Sequence, residues 1–201
     1  MEPTRSERAD AFTVLLYGVG AAIVVGIGTW LRAASVFRDD GIAWTVPIDE
    51  QPIAATVDSG EVAVEGIAQE AMIFANDVNA GAVAAIIGGI VLWALTALVV
   101  IGAVMLVASN FLRGRVFVRG NVWAFTIMGW MLSIAPLVIV TLDNIARNGV
   151  LAAAGFGEGE TVHPVEFWAA IPVVAGGIAV GLIAVAFRRG IRLQKETEGL
   201  V

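Results

Sequence analysis

The chain has 201 residues, 58% of them hydrophobic and only 15% charged, with a mean hydropathy of +0.85. Water-soluble domains run nearer about 45–50% apolar and about 25% charged, so this composition excludes an ordinary soluble globule and places the chain in the membrane class. The formal net charge of −6 conceals an uneven split along the chain, and the lack of cysteine excludes a disulfide framework, a thiolate metal site and a cysteine nucleophile.

A bilayer core about 30 Å thick takes roughly 20 apolar residues of helix to cross, and four runs qualify, at about 11–31, 80–108, 122–142 and 167–187. Residues 1–10 form a short polar tail. The first run is too long for a signal-peptide core and ends in Trp30, Leu31 and Arg32, not in a small-residue cleavage site, so it reads as a retained span. Gly18, Gly20, Ala22, Gly26 and Gly28 give it a small-residue stripe that permits close helix approach.

Residues 32–79 form the one long segment between spans. Ile42, Trp44, Val46 and Ile48 alternate with period two, and Asp49-Glu50-Gln51-Pro52 has turn chemistry, so a small β-hairpin is expected with Ile53 to Val57 as its second strand. From Glu61 to Asn79 the pattern is more helical, with Ile67, Ala71, Phe74 and Val78 on one face and possible continuity with the second span.

The connection 109–121 is the short one between two long apolar runs, and it carries Arg113, Arg115 and Arg119 beside Gly114 and Gly120. The two glycines are expected to break the flanking helices, Phe117 to insert its ring beneath the bundle, and Asn121 to cap the third span. The third span contains Pro136 as a potential kink. Residues 143–165 read as a loop, and the fourth span carries Pro172 in its first turns and Gly177-x-x-x-Gly181 on one side. The tail 188–201 is basic, then acidic.

Lys and Arg counts set the expected orientation. With both termini inside, Arg5, Arg8, Arg113, Arg115, Arg119, Arg188, Arg189, Arg192 and Lys195 lie on the cytoplasmic side, nine in all, against Arg32, Arg38 and Arg147 outside. The loop arginines then meet anionic headgroups, where each is worth about 1 kcal/mol, which makes Arg113, Arg115 and Arg119 candidate anionic-lipid contacts as well as the topogenic signal.

Sites for chemistry are sparse. No ionisable residue falls in the middle of a span, the usual mark of a pump or channel. Asp143 and Asn144 sit at a span edge, where an interfacial carboxylate is the simpler reading than an ion or proton site. Thr96, Thr126 and Ser133 are expected to bond their own helix carbonyls or a neighbouring helix. His163, near Glu158, Glu160 and Glu166, lacks the spacing of a metal site. The GFGEGE run at 155–160 has no basic residue and no preceding strand, which argues against a phosphate loop. The expectation is therefore no enzyme, no cofactor, no metal and no direct nucleic-acid binding.

Two stretches carry a family resemblance: the loop Leu112-Arg-Gly-Arg-Val-Phe117-Val-Arg-Gly-Asn121 followed by Gly129, and the end Phe187-Arg-Arg-Gly190-Ile-Arg-Leu193 through Glu196 to Leu200-Val201. Together they resemble the bacterial membrane family termed domain of unknown function 2975, whose members have four spans, an outer segment after the first, and a second loop of the form G-x-x-F-x-x-x-N. Gly114, Phe117 and Asn121 fit that form, and Gly190 and Leu193 fall in the matching tail. The resemblance implies no known activity. Its members lie near small helix-turn-helix regulator genes, which points toward regulation. The chain departs from the family in its large acidic outer segment and its small-residue-rich spans.

The expected fold is an all-α membrane protein: a four-helix transmembrane bundle with a small extracytoplasmic β-hairpin or mixed cap between spans 1 and 2. The expected role is a non-enzymatic interaction or regulatory module in the plasma membrane, touching membrane lipids and a cytoplasmic regulatory protein. The alternative is a small transporter or channel subunit, or a lipid-handling protein.

Overall fold

The computed structural model describes residues 5–57, 62–156 and 167–198. Helix α1 spans Arg5–Val36. Strands β1 (Phe37–Arg38), β2 (Gly41–Val57) and β3 (Val62–Ala75) follow, then helices α2 (Ala80–Leu112) and α3 (Arg119–Ala153). A single 3-10 turn, Trp168–Ala170, leads into α4 (Ile171–Glu198). All four helices are long and apolar enough to cross a bilayer. Their surfaces are apolar as well, with Phe12, Leu16, Trp30, Trp93, Trp130 and Leu182 among the exposed side chains.

The segment between the first two helices differs from the expected small hairpin. Strands β1, β2 and β3 form one antiparallel sheet in that order. The expected turn at Asp49-Glu50-Gln51-Pro52 is a bulge inside β2: Pro47 pairs with Glu70 and Gln51 with Ala68, so β2 spends two more residues than its partner across that step. The long partner strand is built from the stretch expected to be helical, 61–79. Ile67, Ala71 and Phe74 could share a helix face, but cross-strand pairing decides otherwise: Ile73 faces Trp44, Ala71 faces Val46 and Ala75 faces Ile42. Strand preference depends on such neighbours more than on the residue itself. Pro47 and Pro52 lie where β2 has only β3 beside it, an edge that tolerates a residue without an N–H.

The helices also run further than the apolar runs. Helix α1 continues to Val36, so Arg32 is helical and not the start of a loop. Helix α3 passes unbroken through Pro136 and on to Ala153, which corrects the loop expected from 143. Ala146 and Val150 repeat at helical spacing and are fully buried, with Leu151 beside them. At Gly149 this turn meets Ala82 so closely that a side chain has no room. Asn79 starts α2 as its N-cap, its Oδ1 accepting the Ala82 N–H at 2.8 Å.

The chain divides into two compact units. One comprises Met1–Leu31, Ile87–Leu142 and Val165–Val201; the other comprises Arg32–Ile86 and Asp143–Pro164. In the first, Ala103 and Val107 of α2 pack on Ala124 and Met128 of α3, with Val180 of α4 against them. Small side chains let these helices approach closely, and the crossing of α3 and α4 is a clear case. A Cβ on Gly129 would lie 3.0 Å from the backbone nitrogen of Gly181 and 3.1 Å from the Gly177 carbonyl oxygen. The Gly177-x-x-x-Gly181 pair thus faces a third glycine, the small-residue contact typical of helices packing in lipid. Thr96 and Thr126 give their hydroxyl protons to the carbonyls of Leu92 and Val122, so neither polar group is left unpaired.

Candidate functional site

In the first unit, the connection between α2 and α3 is a built turn held at three levels. Its backbone closes α2: Gly114 has φ +69, its N–H donates to Phe111 O at 2.9 Å, and the Arg115 N–H donates to Asn110 O at 2.8 Å. These are the bonds of a glycine-terminated helix, and the left-handed conformation is one glycine adopts without steric cost. The expected break at Gly114 is therefore present. Gly120 is not a second break, since α3 has already begun at Arg119 and Gly120 lies within its first turn.

Side chains form the second level. Asn121 is not the N-cap of α3; Val118 holds that place, its carbonyl accepting from the N–H groups of Asn121 and Val122. Asn121 instead has no exposed surface at all. Its Nδ2 donates to the carbonyls of Val116 at 2.7 Å and Arg115 at 3.2 Å, and its Oδ1 accepts from Nδ2 of Asn110 at 2.8 Å. One amide thus joins the last turn of α2, the loop backbone and the first turn of α3. The resemblance to the G-x-x-F-x-x-x-N loop singles out Asn121 and passes over Asn110, because a partner eleven positions away across a turn leaves no periodic signature.

The third level is aromatic. The Phe187 ring of α4 stands 6.0 Å from that of Phe111, nearly parallel, and is tilted against Phe117 at 5.5 Å and Phe125 at 5.0 Å. These are favourable ring separations. Phe117, expected beneath the bundle, packs on Phe187 and across Gly190 while remaining 46% exposed. A Cβ at Gly190 would collide with its ring. The structure therefore brings Gly114, Phe117, Asn121 and Gly190 into one neighbourhood. Leu193 lies one helical turn further along α4 and is 62% exposed. Arg113 and Arg115 are exposed on the loop, and Arg119 opens α3.

In the second unit, Arg32, Trp44, Glu70, Asp143 and Arg147 line a cavity of about 480 Å³. The Arg32 guanidinium lies 6.0 Å from the Trp44 ring centroid, at the outer limit for a cation–π contact. Asp143 thus faces two arginines from a helical position. His163 and Glu158, Glu160 and Glu166 lie outside the described residues, as do the last four residues of the glycine-rich run.

Compared with known proteins, the chain matches no family model, no curated sequence and no solved structure.

Proposed function

We propose that this chain is a four-span integral protein of the bacterial plasma membrane, with both termini and the 109–121 loop in the cytoplasm, and that it acts as a non-enzymatic interaction or regulatory module. The apolar surfaces of four long helices support the first part, because an apolar area of that extent is not stable in water. The Lys and Arg bias supports the orientation. The resemblance to the domain of unknown function 2975 pattern supports the regulatory part through Gly114, Phe117 and Asn121.

One observation carries the reading: the loop and the tail helix are joined through Phe117, Phe187 and Gly190. A protein that docks on the exposed face around Leu193 would press on the same helix that holds the loop. The fixed turn supplies a rigid platform, which lowers the ordering cost of binding. Photocrosslinking in native membranes tests this. Wild-type protein is expected to capture a cytoplasmic partner, and Phe117→Ala and Leu193→Ala to reduce that capture at least about tenfold, the loss of roughly 1.4 kcal/mol. Capture indifferent to both substitutions would end the proposal.

The cavity at Arg32, Asp143 and Arg147 favours a second reading, in which a small charged solute is received there as in a transporter subunit. Flux of ions and amino acids into liposomes holding the purified protein is then expected to exceed that of empty liposomes, and to fall with Asp143→Asn. Flux equal to that of empty liposomes would remove this reading.

A further inference from the structure

Beside the aromatic cluster, α3 and α4 flank an open groove that is apolar along its length and carries basic side chains at one end. The first part is a cavity of about 690 Å³ in which Arg119, Arg188, Arg192, Lys195 and Glu196 join the apolar walls of Val122, Trp123 and Ile191. Four cations meet one carboxylate there, and that carboxylate already accepts from Arg192 Nε at 2.8 Å. The second part is a recess of about 410 Å³ along the same helices, with Trp130, Gly177, Ile178 and Gly181 on its walls. Thr126 and Arg188 line both, so the two adjoin.

The sequence makes this continuity unavoidable. On α4, Gly177, Gly181, Ala184, Arg188, Arg192 and Lys195 recur at steps of three and four residues, hence on one helix face. On α3, Arg119, Trp123, Thr126, Trp130 and Ser133 do the same. Charge occupies the end of each stripe and apolar or small residues the remainder. From Arg188 to Gly177 the helix rises about 16 Å, which is half of a hydrocarbon core about 30 Å thick, or one leaflet.

We propose that this groove binds one anionic phospholipid, with its headgroup among Arg119, Arg188, Arg192 and Lys195 and an acyl chain laid along Trp130, Gly177 and Gly181. A free phosphate would leave the apolar walls unmatched, and a neutral apolar ligand would leave the four cations unmatched; an anionic amphiphile matches both. Basic pockets between spans on the cytoplasmic side are suited to such headgroups. Arg113 and Arg115 do not line the cavity, so of the three loop arginines only Arg119 belongs to the site. The site rests on the four-span reading but not on any protein partner.

Trp123 and Trp130 lie in the groove and make it observable. The full chain is reconstituted in phosphatidylcholine vesicles containing either brominated phosphatidylglycerol or brominated phosphatidylcholine, and tryptophan quenching is followed. The anionic lipid is expected to quench in excess of the zwitterionic one, and Trp123→Phe with Trp130→Phe to remove that excess. Arg188→Gln and Arg192→Gln are each expected to weaken the apparent affinity about fivefold. Gly181→Leu is expected to abolish the excess with every charge intact, because a Cβ at Gly181 points into open space and the added side chain fills the recess. Equal quenching by the two lipids would overturn the proposal. So would an excess that survives both the arginine substitutions and Gly181→Leu, or one that inorganic phosphate abolishes, which would make a free anion the occupant. Carbonate extraction separates the two levels: release of the chain from membranes would end the four-span reading, whereas a retained chain without lipid selectivity ends the lipid site alone.

Discussion

Replacing Asn121 with alanine is expected to lower the stability of the detergent-solubilised protein by about 2–4 kcal/mol, the cost of emptying a fully buried site and unpairing three part-buried polar groups. The substitution strands the carbonyls of Arg115 and Val116 and the amide of Asn110 together. For a chain of this size that corresponds to a thermal midpoint lower by roughly 5–15 °C. Asn110→Ala should cost less, since it frees only one acceptor on Asn121, and the double variant should cost less than the sum because the pair shares one bond. A midpoint unchanged in Asn121→Ala would mean that water replaces the amide at no cost, and would remove the rigid turn on which the interaction reading depends.

Gly177→Val is expected to be as damaging for a steric reason. A Cβ at Gly177 would lie 2.5 Å from Ser133 Oγ, 2.7 Å from the Ser133 backbone nitrogen and 2.8 Å from the Leu132 carbonyl carbon. Two of those three atoms are backbone, so no rotamer change relieves the clash and α3 and α4 must separate. Overpacking a tight contact costs about 1–3 kcal/mol where side chains can yield, and a backbone collision belongs at or above the upper end. Gly176→Val is the internal control, because a Cβ there meets nothing within 4 Å. Thermal unfolding should separate the two variants by at least about 6 °C. Equal midpoints would show that the helices cross more loosely than the glycines imply.

The parts of this fold that are legible in the sequence are those written in contiguous residues. Four charge-free apolar runs announce four long helices, and Gly114 announces the end of α2. Phe117 and Asn121 stand out through the G-x-x-F-x-x-x-N form of the loop that the chain resembles. Their partners do not. Asn110 and Phe187 matter through contacts made across a turn or from another helix, and nothing local marks them.

The sheet shows the complementary failure. Residues 62–75 carry apolar side chains at spacings that satisfy a helix, and only the facing strand, with Trp44 and Val46 opposite Ile73 and Ala71, selects the extended form. The extension of α3 was hidden by Asp143, Asn144, Arg147 and Asn148, which read as a loop. The apolar side chains between them, Ala146 and Val150, are buried at helical spacing and prolong the helix.

The turn between α2 and α3 also bears on the order in which the molecule is made. Every hydrogen bond that closes it runs between residues 110 and 122. Such short-range contacts form early because little chain entropy is lost in closing them. The α2–α3 hairpin is therefore self-contained while the ribosome is still adding residues, and Phe111, Phe117 and Phe125 present a ready socket to a ring that is synthesised 62 positions after Phe125. Arrival of Phe187 then completes the cluster: until α4 is seated, Phe111, Phe117 and Phe125 lack the ring they pack against, and apolar surface left open in a partly built chain is prone to aggregation.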